Sequence, residues 1–108
     1  MSYDVSYERV ARTQLFRLVT WVSEHLGERA TEKALGEVDR LLDRLRANPT
    51  QFRRYPGTTP RGDVRLAKAY YHYFAFVVDE TSATVAILAI RHESQDPARL
   101  ARDLGTAP

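Results

Sequence analysis

From residue 64 to 93 the chain reads VRLAKAYYHYFAFVVDETSATVAILAIRHE, and through most of that run odd and even positions alike are apolar. β-Branched and aromatic residues at this density predict three strands, over residues 64 to 68, 71 to 79 and 84 to 92, with DETSA as the second hairpin turn. Successive side chains of a strand point to opposite faces, so strands of this kind demand cover on both sides of their sheet. In the middle strand Phe74, Phe76 and Val78 share one face, and Tyr71, Tyr73, Ala75 and Val77 share the other.

The cover must come from what flanks the strands. SYDVSY, residues 2 to 7, alternates polar and apolar positions, with Tyr3, Val5 and Tyr7 on one side, and predicts a short opening strand. The period then changes. Ala11, Leu15, Leu18, Val19, Val22 and Leu26 recur at spacings of three and four, the stripe of a helix over residues 8 to 26 that Gly27 ends in a left-handed conformation. A second helix over 29 to 47 turns Ala30, Ala34, Val38, Leu41, Leu42 and Leu45 inward. The short connection makes the two an antiparallel hairpin, which covers one side of a sheet. The other side is closed by the C-terminal segment or left as an apolar patch for a partner. That segment carries the signals of a short helix, with Asp96 as N-cap, Pro97 at the first helical position, Leu100 and Leu104 on one side and Gly105 after its end. The expectation is an α+β fold: an N-terminal strand, an antiparallel helical hairpin, a three-stranded antiparallel sheet (βααβββ) and a short C-terminal helix.

Length and composition bound the function. The 108 residues suit one domain spanning 1–108, and the absence of cysteine excludes a disulfide framework and thiolate chemistry. The first residues, MSYDVSYERVART, contain no apolar targeting core, and YFAFVV and VAILAI are too short to cross a bilayer, so a soluble cytoplasmic protein is expected. A formal charge of +2 is too small to imply nucleic-acid binding unless the cations are concentrated. His25, His72 and His92 fall in separate elements, which argues against a metal site. No nucleophile elbow, phosphate loop or dinucleotide fingerprint is present, and no cofactor is expected.

Two groups of residues remain as candidates. The loop TQFRRYPGTTPRGD, residues 50 to 63, is pinned by Phe52 and Tyr55 and presents Arg53, Arg54 and Arg61, either to a partner or simply to solvent. The strands carry Arg65, Lys68, Tyr70 to Tyr73 with His72, and Arg91 with His92. Cleavage of RNA through its own 2′-hydroxyl needs a base, an acid and cations around the phosphorane, roles open to His, Arg and Lys. Against this, strand alternation sends Arg91 and His92 to opposite faces, and His92 suits a half-buried histidine bonded to nearby backbone.

The order of elements, with RLRANP (44 to 49) ending the hairpin, YHYFAFVVDE (71 to 80) in the middle strand and ILAIRHESQDP (87 to 97) at the end, resembles the RelE/ParE superfamily, toxins of bacterial type II toxin–antitoxin (plasmid stabilisation) modules. The resemblance covers nearly the whole chain and rests on order and spacing. It implies a growth inhibitor neutralised by a cognate antitoxin that wraps it in a hetero-oligomer, with Tyr71, Tyr73 and Val77 on the surface offered to that antitoxin. It also implies one of two targets. RelE-like members cut mRNA in the ribosome as metal-independent endoribonucleases, for which His92, Arg91, Arg65 and Lys68 are the candidate catalytic residues here. ParE-like members poison DNA gyrase, with Arg53, Arg54, Arg61, Arg65, Lys68 and Arg91 as candidate contacts to target. The sequence after His92 has neither the late tyrosine nor the lysine run of RelE, and the ParE-like side is favoured. A non-toxic RNA-binding sheet module with stacking aromatics is a further alternative, opposed by the two consecutive helices.

Overall fold

The computed structural model describes residues 2–105; the expected domain's Met1 and residues 106–108 lie outside the described residues. The elements follow the predicted order: β1 (Asp4–Tyr7), α1 (Arg9–Leu26), α2 (Glu28–Ala47), a 3-10 turn (Pro49–Gln51), β2 (Val64–Ala69), β3 (His72–Asp79), β4 (Thr84–His92) and α3 (Pro97–Asp103). All four strands join one sheet in the order β1-β4-β3-β2. The sheet is mixed, because β1 lies parallel to β4 whereas β2, β3 and β4 are antiparallel. Alternation in SYDVSY marks a strand but carries no information about its direction.

Gly27 alone separates the helices. Its φ of 90° and ψ of −174° lie outside the expected left-handed helical cap, in a region that essentially only glycine occupies, so α2 begins directly after α1. The hairpin buries Ala11, Leu18 and Val22 from α1 and Ala34, Val38, Leu41 and Leu45 from α2. Leu26, expected in the buried stripe, is instead exposed.

A bulge decides which side chains meet the helices. Ala75 pairs with Ala89 but Phe76 with Ile87, which leaves Leu88 without a partner on β3. Ile87 and Ile90, three residues apart, therefore both join Phe74, Phe76, Val38 and Leu41 in the helix-side core. Leu88 and Ala89 both join the opposite cluster with Val64, Leu66, Ala75, Leu100 and Leu104. That second side is closed by α3, whose Asp96 side chain accepts a hydrogen bond from Ala98 N at 3.0 Å, and by Tyr55 from the long loop. The loop also runs along β2, with Tyr55 N donating to Val64 O at 2.7 Å and Leu66 N to Arg53 O at 2.9 Å. No described helix is long and apolar enough to cross a membrane.

Candidate functional site

The structure separates the predicted cluster into two places. On the α3 side, Tyr73 and Arg91 lie opposite each other on β3 and β4, and Lys68 lies opposite Tyr73 on β2. Each cation there already has an anion. Arg91 makes a two-pronged bond to Asp103 of α3, Nε to Oδ2 at 2.7 Å and Nη2 to Oδ1 at 3.1 Å, and this partner raises its pKa. Lys68 pairs with Glu93, whose hydrogen bond raises the lysine's pKa and lowers the glutamate's. Arg65 Nη1 is spent on the chain, donating to Thr50 O at 3.1 Å and Phe52 O at 2.7 Å. Arg61 grips Glu8 with both nitrogens at 2.8 and 2.5 Å, and Arg54 lies 3.9 Å from Asp63. Of the predicted basic set, Arg53 and Arg65 have no carboxylate within ion-pair distance among the described residues; the Arg53 guanidinium stands 5.7 Å from the centre of the Tyr73 ring, and Lys68 Nζ stands 5.6 Å from it.

His92 lies on the other side. It pairs with His72 across the β3–β4 ladder, the two rings edge to face with centres 4.9 Å apart. Ser94 N and Oγ approach His92 Nδ1 at 3.0 and 2.7 Å, the half-buried arrangement with local backbone that the sequence allowed. His72 Nδ1 lies 2.7 Å from Tyr70 O, and burial, ahead of the nearby His92, lowers its pKa. These histidines form one end of an open groove of about 730 Å³ between α1 and the tip of the β2–β3 hairpin. Trp21 and Leu26 line it from α1, Tyr70 and Tyr71 from the hairpin, and its charged lining is arginine only, Arg17, Arg91 and Arg99. No group of three or more His, Cys, Asp or Glu able to hold a metal occurs among the described residues.

Three features of this groove escape a sequence reading. Tyr71 belongs to the turn and not to the strand, since Ala69 pairs directly with His72 and leaves Tyr70 and Tyr71 as a two-residue loop. Their φ values, 45° and 63°, are those of a type I′ turn, which normally takes Asn-Gly, so an aromatic pair gives no turn signal. Trp21 sits off the apolar stripe of α1 and is 53% exposed beside Leu26 at 52%. Of the surface expected to meet a partner, Tyr71 is 56% exposed, whereas Tyr73 and Val77 are half-buried, Val77 against the α3-side cluster. The expected alternative of a fully open sheet face is thus excluded by α3 and Tyr55.

A helical hairpin on one side of a small mixed sheet, with a short terminal helix on the other, is the architecture of a known class of small toxins. The chain resembles the chromosomal ParDE toxin–antitoxin system from P. aeruginosa at a TM-score of 0.64 and 18% identity, over 84% of this chain and 96% of that one. It resembles a double mutant of E. coli toxin RelE in the free state at 0.61 and 14% identity, over 97% and 96% of the two chains. For the RelBE2 toxin–antitoxin complex from Mycobacterium tuberculosis the TM-score is 0.53 at 18% identity, over 85% and 99%. No curated protein matches in sequence. The family model described as the ParE toxin of the type II toxin–antitoxin system, parDE, matches residues 5–97, and the chain belongs to that family.

Proposed function

We propose that this family member inhibits growth by binding DNA gyrase, acting in the cytoplasm, and that a cognate antitoxin neutralises it. The observation that carries the reading is the occupation of the cations a ribonuclease would need. Stabilising a phosphorane requires donors left free for the phosphate oxygens, yet Arg91 is held by Asp103, Lys68 by Glu93 and Arg65 by the carbonyls of Thr50 and Phe52. Arg91 and His92 also occupy opposite faces of β4, so a single phosphate is poorly placed to touch both. A surface of matched charges suits a protein target better than a phosphate backbone, whose affinity comes from unpaired lysine and arginine.

The test is a pair of reconstituted reactions. Purified protein is expected to block ATP-dependent supercoiling by gyrase and to leave translation in a cell extract intact. Intact supercoiling together with cut mRNA would replace this reading by the ribosome-dependent nuclease. One observation favours that second reading, the proximity of His72 and His92, in which burial lowers the pKa of His72 and favours its neutral form. It requires that His72→Ala and His92→Ala abolish cleavage in proteins that remain folded, whereas Arg91→Ala also strands Asp103 and lowers thermal stability whether or not cleavage occurs.

A further inference from the structure

The arginines of α3 take no part in the function proposed for the chain. Leu100 and Leu104 are buried against the sheet, which leaves Arg99 and Arg102 exposed, one helical turn apart. Both line a cavity of about 240 Å³ together with Arg91 of β4 and Asp103. Like charges at this spacing repel and destabilise a helix, and one of seven residues has little stability of its own to offset that.

The acids that could neutralise them are committed elsewhere. Asp103, the only acid lining the cavity, accepts Arg91 Nε and Gln14 Nε2 on Oδ2 at 2.7 and 2.8 Å, and Arg91 Nη2 on Oδ1 at 3.1 Å. Its side chain is only 13% exposed, so it neutralises Arg91 of the sheet and not the arginines of its own helix. Asp96 caps the helix, accepting the Ala98 amide at 3.0 Å. Neither Arg99 nor Arg102 makes an ion pair among the described residues. Three arginines against one aspartate leave two positive charges in excess, as many as the formal charge of the whole chain. The excess is concentrated at one place.

Charge and size together select a ligand. The cavity is smaller than the roughly 300–1,000 Å³ usual for drug-sized molecules, which suits a single polar group. The planar fork of a guanidinium matches the oxygens of a phosphoryl group. A phosphomonoester carries close to two negative charges at neutral pH, whereas each phosphodiester of a nucleic-acid backbone carries one.

We propose that Arg99 and Arg102, with Arg91 beside them, bind a phosphate dianion, either orthophosphate or the phosphomonoester of a small organic molecule. The bound anion relieves the repulsion within α3 and fastens that helix over the cluster of Val64, Leu66, Ala75 and Leu88, so that occupancy is felt as stability. Such a site works in the same way whether the target is gyrase or mRNA.

The full chain is titrated at constant ionic strength with sodium phosphate, adenosine 5′-monophosphate and dimethyl phosphate, by calorimetry and thermal melting. Orthophosphate should bind saturably and, at about ten times its dissociation constant, raise the melting temperature by about 5 °C. Dimethyl phosphate, a monoanion, should bind at least about tenfold more weakly. Tighter binding of the nucleotide than of orthophosphate identifies an organic phosphomonoester as the ligand and equal binding identifies the free ion; both outcomes support the site. Arg99→Gln with Arg102→Gln should abolish binding of both and leave the ligand-free melting temperature unchanged or higher, since the repulsion goes with the charge. Arg29→Gln with Lys33→Gln, the same loss of charge at exposed positions of α2, should bind like the wild type. No saturable binding by the wild type, or binding that survives in the α3 variant, overturns the proposal. So does an equal loss in the α2 variant or equal affinity for dimethyl phosphate, either of which reduces the effect to general attraction of anions to a basic chain.

Discussion

His72 is a half-buried residue whose protonation the fold opposes. Burial lowers its pKa, and the neighbouring His92 adds to the effect, while the Tyr70 carbonyl and Glu93 act the other way. A histidine whose folded pKa is depressed binds its proton more readily unfolded. Stability is therefore full above the ordinary histidine value and falls as pH drops through it towards the folded value. The melting temperature is expected to decline as pH falls below about 6.5, the ordinary histidine value, and His72→Phe should flatten that decline. A slope unchanged by the substitution would locate the proton uptake elsewhere. Glu8 and Glu93, lowered by Arg61 and Lys68, lose their contribution only at more acidic pH, as protonation passes their depressed values. At this scale the sequence was partly legible. Alternation correctly separates Arg91 from His92, but the faces they occupy depend on the Leu88 bulge, which reverses the assignment for every residue after it. The only trace of the bulge in the sequence is the spacing of Ile87 and Ile90, which fits a helix-facing pair only if one residue between them is extra.

Among the elements, β4 is the one whose edge had to be solved. β1 pairs with it only from Thr84 to Ile87, and its last residues emerge beyond that partner. Gln14 of α1 substitutes for the missing strand: its Oε1 accepts Ile90 N at 2.6 Å and its Nε2 donates to Asp103 Oδ2 at 2.8 Å, so one side chain ties α1, β4 and α3 together. Gln14→Ala leaves the Ile90 amide without its acceptor and should cost about 1–3 kcal/mol of stability by chemical denaturation. Hydrogen exchange gives the sharper check, since the Ile90 amide should lose protection while those paired across β3–β4 keep theirs. Equal protection in both proteins would mean that another group takes over the amide. Element types and order were legible because each helix and strand carries its own periodicity, and the ends of α3 fell at Asp96, Pro97 and Gly105 as the sequence indicates, whereas the start of β3 was hidden by its aromatic turn. Gln14 was not legible, for a polar residue beside an apolar stripe reads as solvated until the strand edge it serves is in place.

Over the whole molecule, the two-faced apolar strands are satisfied by the hairpin on one side and by α3 with Tyr55 on the other, and the charges are organised to match. Lys68–Glu93 and Arg91–Asp103 put two carboxylates among the very cations that a nuclease of this fold would expose. The family match ends at residue 97, the first residue of α3, so Asp103, the partner of Arg91, lies beyond the matched segment. If those carboxylates are what keeps the sheet from holding RNA, removing their charge should restore the affinity. Glu93→Gln combined with Asp103→Asn raises the formal charge from +2 by two without removing a side chain that packs. The double variant should bind a short single-stranded RNA at low salt in fluorescence anisotropy. Its affinity should fall with added salt at a slope of roughly −0.7 for each phosphate neutralised, whereas the wild type binds weakly throughout. A variant that melts like the wild type yet gains no RNA affinity would show that the fold lacks a phosphate surface even when its cations are free. Tight, salt-dependent binding by the wild type would instead show that the ion pairs open readily, and would return weight to cleavage of RNA over inhibition of gyrase.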